Sequence, residues 1–206
     1  MMNNSWNKII YKVWSPVYDQ IFHSGIFFKA RKRVFQETTF KSGQNILFIG
    51  IGTGADLELI NHSEFNITAI DISLDMLEKA RRKFNNSSIK FLEMDAQQME
   101  FRNESFDCVV ASLVLSVVPD ANKCFQEMAR VLKRGGNIII FDKFAPKNKR
   151  LSLPMLILRP VIKVLGTDIG VNFEQLFFKN NKNLQIEADQ PVMLNGMYRK
   201  IIIRKL

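Results

Sequence analysis

The chain has 206 residues, 47% of them hydrophobic and 24% charged, a composition that fits one globular domain. Its two cysteines, Cys108 and Cys124, have no metal-like or redox spacing and are expected in the core of a reduced, cytosolic protein. No stretch approaches the roughly 20 apolar residues that span a bilayer, and the N-terminus has no signal-peptide core, so neither secretion nor membrane spanning is predicted.

The net charge of +9 is unevenly distributed. Residues 1–45 carry 7 Lys/Arg against 2 Asp/Glu, residues 46–142 carry 10 against 14, and residues 143–206 carry 12 against 4. The middle is therefore acidic and both flanks are basic. Basic flanks are typical either of a solvated surface or of contact with an anionic partner such as a phospholipid surface or nucleic acid, and charge alone leaves both open. No set of Cys and His residues indicates a metal site.

Three helices are predicted in the N-terminal flank: over residues 5–13, after Ser15-Pro16, and around residues 27–35. The first places Trp6 and Trp14 on an apolar stripe, with lysines off it. Such a stripe can pack on the core as a lid. Indole rings beside lysines also suit a membrane interface.

From residue 45 the pattern alternates strands with helices. Strands are predicted over residues 45–50, 65–70, 88–92, the first half of 106–115, and 137–141. Helices are predicted from Leu57, after the capping residue Ser73, and over residues 121–132, where Gly135-Gly136 stops the helix. Repeated units of this kind predict a parallel sheet with right-handed crossovers.

The C-terminal flank departs from this alternation. Residues 147–165 are basic and apolar and are interrupted by prolines, and residues 173–179 predict a short helix. Residues 184–192 and 197–204 predict two strands joined by Leu194-Asn195-Gly196, and Asn-Gly is a strong hairpin signal. A dinucleotide-binding domain does not usually end with an antiparallel hairpin.

The turn after the first strand is the candidate nucleotide site. Gly50, Gly52 and Gly54 stand at alternate positions where an apolar run meets a predicted helix, and glycines let a backbone approach a ligand. The turn also satisfies an NAD fingerprint, so its glycines alone do not identify the cofactor. Asp71, at the end of the second predicted strand, would accept hydrogen bonds from ribose hydroxyls in either case.

Five motifs follow one another along the chain, and their order is more specific than the glycine turn alone. They are residues 46–54, 69–73, Met94-Asp95-Ala96, 105–112 and 131–136. Together they resemble the successive motifs of class I S-adenosylmethionine-dependent methyltransferases. The resemblance implies an α/β Rossmann-like fold with a seven-stranded, mostly parallel sheet, an antiparallel C-terminal hairpin and helices on both faces. It implies one domain over residues 1–206, with a helical lid or membrane-contact segment (1–40), a cofactor-binding core (41–145) and a substrate-side part (146–206).

The resemblance also implies a cofactor set for S-adenosylmethionine: Gly50, Ile51, Gly52, Thr53, Gly54, Asp71, Ile72, Ser73, Met76, Asp95, Ala96, Ala111 and Ser112. In that set the glycines admit the methionine part and Asp71 binds ribose. Ile72 and Met76 flank the adenine, and Asp95-Ala96 approaches its edge. Ala111 and Ser112 lie near the sulfonium. Phe48 stands where the family usually has an acid that helps to hold the cofactor's ammonium group.

The flanks carry a finer resemblance. Residues 14–19, 116–120 and 158–160, with Leu165-Gly166, are similar to bacterial phospholipid N-methyltransferases, which methylate phosphatidylethanolamine towards phosphatidylcholine. Quinone C-methyltransferases share part of this layout. The resemblance implies a phospholipid substrate, an anionic membrane as partner, and a cytoplasmic protein associated peripherally with the inner face of the cell membrane.

An amine acceptor must lose its proton before attack, so a nearby group or water that accepts this proton would help. Tyr18 is the first choice and Tyr11 the second, with Ser112 and Asp142 as further candidates. Trp6, Trp14, Arg159 and Arg199 are predicted to contact the substrate or the membrane.

Three alternatives remain open from the sequence. One is methylation of a quinone or another small acceptor. Another is a nucleic-acid methyltransferase, disfavoured because the chain has no Asn/Asp-Pro-Pro-Tyr tetrapeptide and no Pro-Cys nucleophile. The third is a non-enzymatic cofactor-binding module, because of Phe48.

Overall fold

The computed structural model describes residues 25–146 and 168–206. The predicted helices before residue 25 lie outside these ranges, as does the segment 147–165. The same holds for Trp6, Tyr11, Trp14, Tyr18 and Arg159.

Seven strands and four α-helices make up the described part of the chain. The strands are β1 (Asn45–Ile49), β2 (Asn66–Asp71), β3 (Lys90–Glu93), β4 (Phe106–Ser112), β5 (Leu132–Lys143), β6 (Leu184–Met193) and β7 (Tyr198–Lys205). The helices are α1 (Gly25–Gln36), α2 (Leu74–Lys83), α3 (Ala121–Val131) and α4 (Phe173–Asn180). Within these residues no helix is long and apolar enough to cross a membrane.

The strands form one sheet in the order β3-β2-β1-β4-β5-β7-β6. The first five are parallel, whereas β7 runs antiparallel to both β5 and β6. This confirms the predicted sheet and its reversed terminal hairpin. The strand order reverses between β1 and β4, and ligands of open α/β sheets bind at the carboxyl ends of strands beside such a reversal.

The central strand β1 is buried on both faces, which explains its unbroken apolar run. Leu47 and Ile49 join the core on one face of the sheet, with α3 and α4 residues. Ile46 and Phe48 join the core on the other, with α1 residues. Because the side chains alternate between two buried layers, the backbone of β1 delivers the following turn to a fixed position at the sheet edge.

The segment after the glycine turn differs from the prediction. A helix was expected from Leu57, but the structure has a single 3₁₀ turn (Leu57–Leu59), after which Ile60 is extended at φ −128° and ψ 157°. The next residues, Asn61-His62-Ser63, supply no apolar positions to continue a helical stripe. The glycine turn is therefore followed by a 3₁₀ turn and not directly by an α-helix.

The start of β5 also differs from the prediction. The helix α3 ends at Val131, and Leu132 already pairs with Phe106 in the sheet. Gly135 and Gly136 thus lie inside β5, at a shift of register, where a Cβ on Gly136 would come within 2.7 Å of the Asp107 carbonyl oxygen. The two glycines allow a close approach of neighbouring strands rather than ending a helix.

Two local predictions are confirmed. The Ser73 side chain accepts a hydrogen bond from the Met76 N–H and caps α2. Between β6 and β7 the backbone turns with positive φ at Asn195 (52°) and Gly196 (84°), the conformation that this pair favours.

Candidate active site

A cavity opens at the carboxyl ends of β1, β2, β3 and β4. It is lined by Gly50 and Gly52 after β1, by Asp71, Ile72 and Met76 at the end of β2 and in α2, by Met94, Asp95 and Ala96 after β3, and by Ser112, Leu113, Val114, Val117, Val118 and Pro119 after β4. Most of the lining is apolar, and the polar groups are few and convergent, as in small-molecule sites. Four of the five predicted motif regions therefore meet at one place, and residues 131–136 do not line the cavity.

The glycine turn contributes to the cavity in part. Gly50 and Gly52 line it, whereas Ile51 and Thr53 are buried behind it. A Cβ at Gly50, where φ is +62°, would come within 2.5 Å of Val114 Cγ2. A Cβ at Gly54 would come within 2.6 Å of the Phe84 ring. Gly54 therefore makes room for packing of the chain itself, and the structure does not bring it, Ile51 or Thr53 to the cavity surface.

Asp71 is held in one orientation by the backbone. Gly52 N–H donates to its Oδ2 at 2.8 Å, and Ser73 N–H donates to its Oδ1 at 2.9 Å. Burial raises the pKa of Asp71, and these backbone donors oppose part of that rise. The Ile72 N–H is a third backbone donor to this carboxylate. Since a carboxylate has about four acceptor positions, Asp71 keeps acceptor capacity for a ligand hydroxyl in the cavity. Ser73 itself caps α2 and does not line the cavity.

Asp95 is fixed through a residue that sequence reasoning missed. Gln97 donates to Asp95 Oδ1 from both its backbone N–H and its side-chain Nε2, each at 2.9 Å. The Gln97 Oε1 accepts from the Asp120 N–H at 2.8 Å. This chain of hydrogen bonds ties the β3 side of the cavity to the start of α3. A local pattern could not reveal it, because Gln97 and Asp120 are 23 positions apart.

Ser112 brings an unused hydroxyl to the cavity. It lies at the end of β4, and its Oγ is buried with no hydrogen-bond partner among the described residues. Buried hydroxyls are normally paired, so a free one in a cavity wall is suited to a polar ligand. Ala111, predicted beside it, is fully buried in the strand and does not line the cavity.

Asp142 supports the cavity from behind. It is fully buried at the end of β5, where Ser116 N–H donates to its Oδ2 at 3.1 Å and Lys143 N–H donates to its Oδ1 at 2.7 Å. Burial raises the pKa of this carboxyl group. Since it does not line the cavity and holds the loop after β4 in place, Asp142 acts as a structural anchor for residues such as Val114 and Val117.

Phe48 lies in the core. Only 1% of it is exposed, and its ring stacks on Phe35 of α1 with centroids 6.4 Å apart. Close to the glycine turn lies a buried ion pair that the sequence analysis missed, between Arg31 Nη1 and Asp56 Oδ1 at 3.6 Å.

The prediction for Arg199 needs correction. This residue is only 4% exposed and lies between the rings of Phe144 and Phe173, 5.5 and 5.2 Å from their centroids. Its guanidinium pairs with Asp189 of β6 (Nε to Oδ1, 2.8 Å) and with Glu174 of α4 (Nη2 to Oε1, 2.9 Å). Arg199 therefore fastens α4 to the sheet and is not available as a surface cation for lipid.

The known proteins that this chain resembles in sequence are methyltransferases. A family model described as a methyltransferase domain matches residues 47–140. The chain is 36% identical over 192 residues to a phosphatidylethanolamine N-methyltransferase of Cereibacter sphaeroides, covering 91% of this chain and 92% of that protein. It is 30% identical over 157 residues to a demethylmenaquinone methyltransferase of Clavibacter sepedonicus, covering 74% of this chain and 62% of that protein.

Solved structures show the same fold. A SAM-dependent methyltransferase from Thermotoga maritima superposes with a TM-score of 0.72 at 16% identity, covering 96% of this chain and 99% of that one. One from Methanosarcina mazei gives a TM-score of 0.66 at 24% identity, covering 81% and 94%. The chemistry of the cavity fits S-adenosylmethionine, because it combines a carboxylate that can accept from hydroxyls, apolar walls, and a hydroxyl with no partner among the described residues. The chain belongs to the class I S-adenosylmethionine-dependent methyltransferases.

Proposed function

We propose that this methyltransferase acts on the amine of phosphatidylethanolamine and on its methylated intermediates, at a membrane surface, towards phosphatidylcholine. The observation that carries the proposal is the extent of the likeness. The phosphatidylethanolamine N-methyltransferase matches 91% of the chain, whereas the quinone methyltransferases compared with it match from 52% to 74%. The cofactor core is common to both groups, so similarity that reaches into the flanks bears on the acceptor.

Within the cavity we assign roles by chemistry. Asp71 accepts hydrogen bonds from the ribose hydroxyls, Ile72 and Met76 flank the adenine, and the Asp95-Ala96 pair meets its edge. The methionine part lies against Gly50 and Gly52, whose backbone lines the cavity. The orphaned hydroxyl of Ser112 supports its placement beside the sulfonium end.

S-adenosylmethionine supplies a methyl group that is already electrophilic because it is bonded to a positively charged sulfur. The chain therefore has to align the acceptor, exclude water and leave the amine unprotonated. The amine loses its proton to a neighbouring group or to water and then forms the new C–N bond, while the C–S bonding electrons stay on sulfur. Tyr18, with Tyr11 second, remains the proposed group that faces the acceptor.

The exposed surface of α1 supports contact with a membrane. Ile26 and Phe28 are 53% and 40% exposed, and Lys29 and Lys32 are exposed on the same helix. Apolar side chains beside lysines bind anionic lipid through both burial and charge. With the predicted Trp6 and Trp14, this surface is the proposed attachment to the inner face of the cell membrane.

The test compares acceptors directly. Purified protein is given S-adenosylmethionine with either vesicles of phosphatidylethanolamine and anionic lipid or a demethylated quinone in neutral vesicles, and kcat/KM is measured for each. The proposal predicts a clear preference for the amine lipid. A higher kcat/KM for the quinone would overturn it in favour of the second candidate, which the 30% identity to a demethylmenaquinone methyltransferase supports.

A further inference from the structure

A second cavity lies beside the candidate cofactor cavity, between the loop after β4 and α4. Val118 and Pro119 line both cavities, so the two share a wall. The shared wall belongs to the loop that follows Ser112, the residue proposed beside the sulfonium end, so a ligand in the second cavity lies next to the cofactor cavity.

The lining of the second cavity is divided by chemistry. Leu115, Val171 and Leu176 supply apolar surface. Lys179 supplies a cation, and Asp168 supplies a carboxylate. Asn122 and Gln175 add neutral amides. One cationic group, one anionic group and an apolar floor match an amphiphile whose headgroup is a zwitterion.

The walls of this cavity are held in place. Asn180 Nδ2 donates to Asn122 Oδ1 at 2.7 Å, which joins the end of α4 to the start of α3. At its other end, α4 is fastened to the sheet by the ion pair between Glu174 and Arg199. Because both ends of α4 are fixed, the backbone of this wall is in place before a ligand enters.

The exposed face of α4 beside this cavity also combines apolar and cationic side chains. Phe178 and Lys179 lie one turn beyond Gln175, so the three residues share a face of the helix. Phe178 is 79% exposed, the largest value among the exposed large hydrophobic residues of the described chain. An exposed aromatic ring beside a lysine suits the interface of a lipid layer.

We propose that the second cavity is the headgroup site for a phospholipid acceptor, an inference that rests on the proposed function. Lys179 pairs with the phosphate, and the amides of Asn122 and Gln175 donate to its oxygens. Asp168 attracts the protonated amine before its transfer to the reaction site. The apolar floor takes the glycerol end of the acyl chains, and the wall of Val118 and Pro119 directs the amine towards the cofactor cavity.

The test uses the whole protein saturated with S-adenosylhomocysteine and a short-chain phosphatidylethanolamine below its micelle concentration, so that membrane attachment does not contribute. Binding is measured by calorimetry for the wild type, Lys179→Glu and Lys179→Arg. The control is Lys182→Glu, which changes an exposed lysine that does not line the cavity. Methyl transfer to the same lipid is measured in parallel.

Because Lys179→Glu removes a charge-assisted contact, we expect it to weaken lipid binding by about 10-fold or more. The conservative Lys179→Arg retains most binding, Lys182→Glu leaves binding unchanged, and the affinity for S-adenosylhomocysteine stays constant in all of them. Equal lipid affinity in the wild type and Lys179→Glu would overturn the headgroup site, even if the lipid is methylated. If the lipid binds through Lys179 but is not methylated, the proposed function is refuted and the headgroup site is retained. If the wild type does not bind the lipid, the headgroup site is refuted.

Discussion

The backbone N–H of Gly52 donates to Asp71 Oδ2 at 2.8 Å, across 19 positions of sequence. This bond fixes the carboxylate at the end of β2 against the turn that follows β1. The bond joins the glycine turn and the strand-end aspartate, two motifs of the predicted cofactor site. Gly52 thus supplies a hydrogen-bond donor to Asp71 and also leaves space for a ligand. The orientation of Asp71 is set before any ligand arrives, which is the condition for tight and specific hydrogen bonding.

Replacing Asp71 with Asn tests this unit with little change in shape. The variant loses the charge of the carboxylate, and at least one of its backbone donors then faces an amide NH₂ group. Hydrogen bonds to charged groups contribute about 1.5–3 kcal/mol, so the affinity for S-adenosylhomocysteine should fall by roughly 10-fold to 100-fold in calorimetry. Asp75→Asn, on the exposed side of α2, is the control and should bind normally. Tighter binding of NADH than of S-adenosylhomocysteine by the wild type would contradict the assignment of the site.

Gly50→Ala separates steric from conformational effects in the turn. The new Cβ would meet Val114 Cγ2 at 2.5 Å, and overpacking of this kind costs about 1–3 kcal/mol. Gly43→Ala is a matched control, because Gly43 also has positive φ (+78°) but has nothing within 4 Å of a Cβ. Urea unfolding should show the larger loss for Gly50→Ala, part of which Val114→Ala restores in the double variant. Equal losses in the two single variants would mean that contact with Val114 does not matter.

The Glu127 carboxylate predicts a dependence of stability on pH. Arg130 donates to it through Nε at 2.6 Å and Nη2 at 2.8 Å, and the Met99 N–H donates at 2.7 Å. The Arg130 contact, followed by that backbone donor, holds the pKa of Glu127 below its ordinary value of 4.5. Since the folded state favours the charged form, the stabilisation is complete above about pH 4.5 and is lost as pH falls through the lowered pKa.

Glu127→Gln should therefore reduce the free energy of unfolding by about 1–3 kcal/mol at pH 7. The difference from the wild type should shrink as the pH is lowered below the ordinary pKa, and urea unfolding at a series of pH values measures it. A constant difference from pH 7 down to acid unfolding would show that the charge of Glu127 contributes nothing.

Arg199→Met tests the corrected role of that residue. The variant leaves the partly buried Asp189 without its cation, and breaking a buried pair costs about 3–5 kcal/mol. Arg204→Met removes an exposed ion pair with Glu187 and should change stability by less than about 1 kcal/mol. Co-sedimentation with anionic vesicles should be the same for Arg199→Met and the wild type at a temperature where both are folded. Vesicle binding that depends on Arg199 would restore its predicted place at the membrane.

Local signals in the sequence were sufficient for most of the fold. The apolar run of β1, the cap at Ser73 and the Asn195-Gly196 turn each depend on neighbours within a few residues, so their patterns are visible in the chain. The glycine pair at Gly135-Gly136 was misinterpreted because glycine stops a helix and also allows strands to approach, and only the partner strand decides between the two.

The site was predictable to a smaller extent. The positions of Asp71 and Asp95 follow from strand ends, which local patterns reveal. The support from Gln97 and the free hydroxyl of Ser112 depend on residues brought together by the fold. Arg199 looked like a surface cation because its partner Asp189 and the ring of Phe144 reach it from other strands or loops, and no short stretch of sequence contains that information.

The central claim is tested most directly by methyl transfer from radiolabelled S-adenosylmethionine into a total lipid extract, followed by chromatographic identification of the labelled products. The account predicts label in mono-, di- and trimethylated forms of phosphatidylethanolamine, with the signal suppressed by S-adenosylhomocysteine and by Asp71→Asn. Label found in a quinone, with none in the amine lipids, would contradict it.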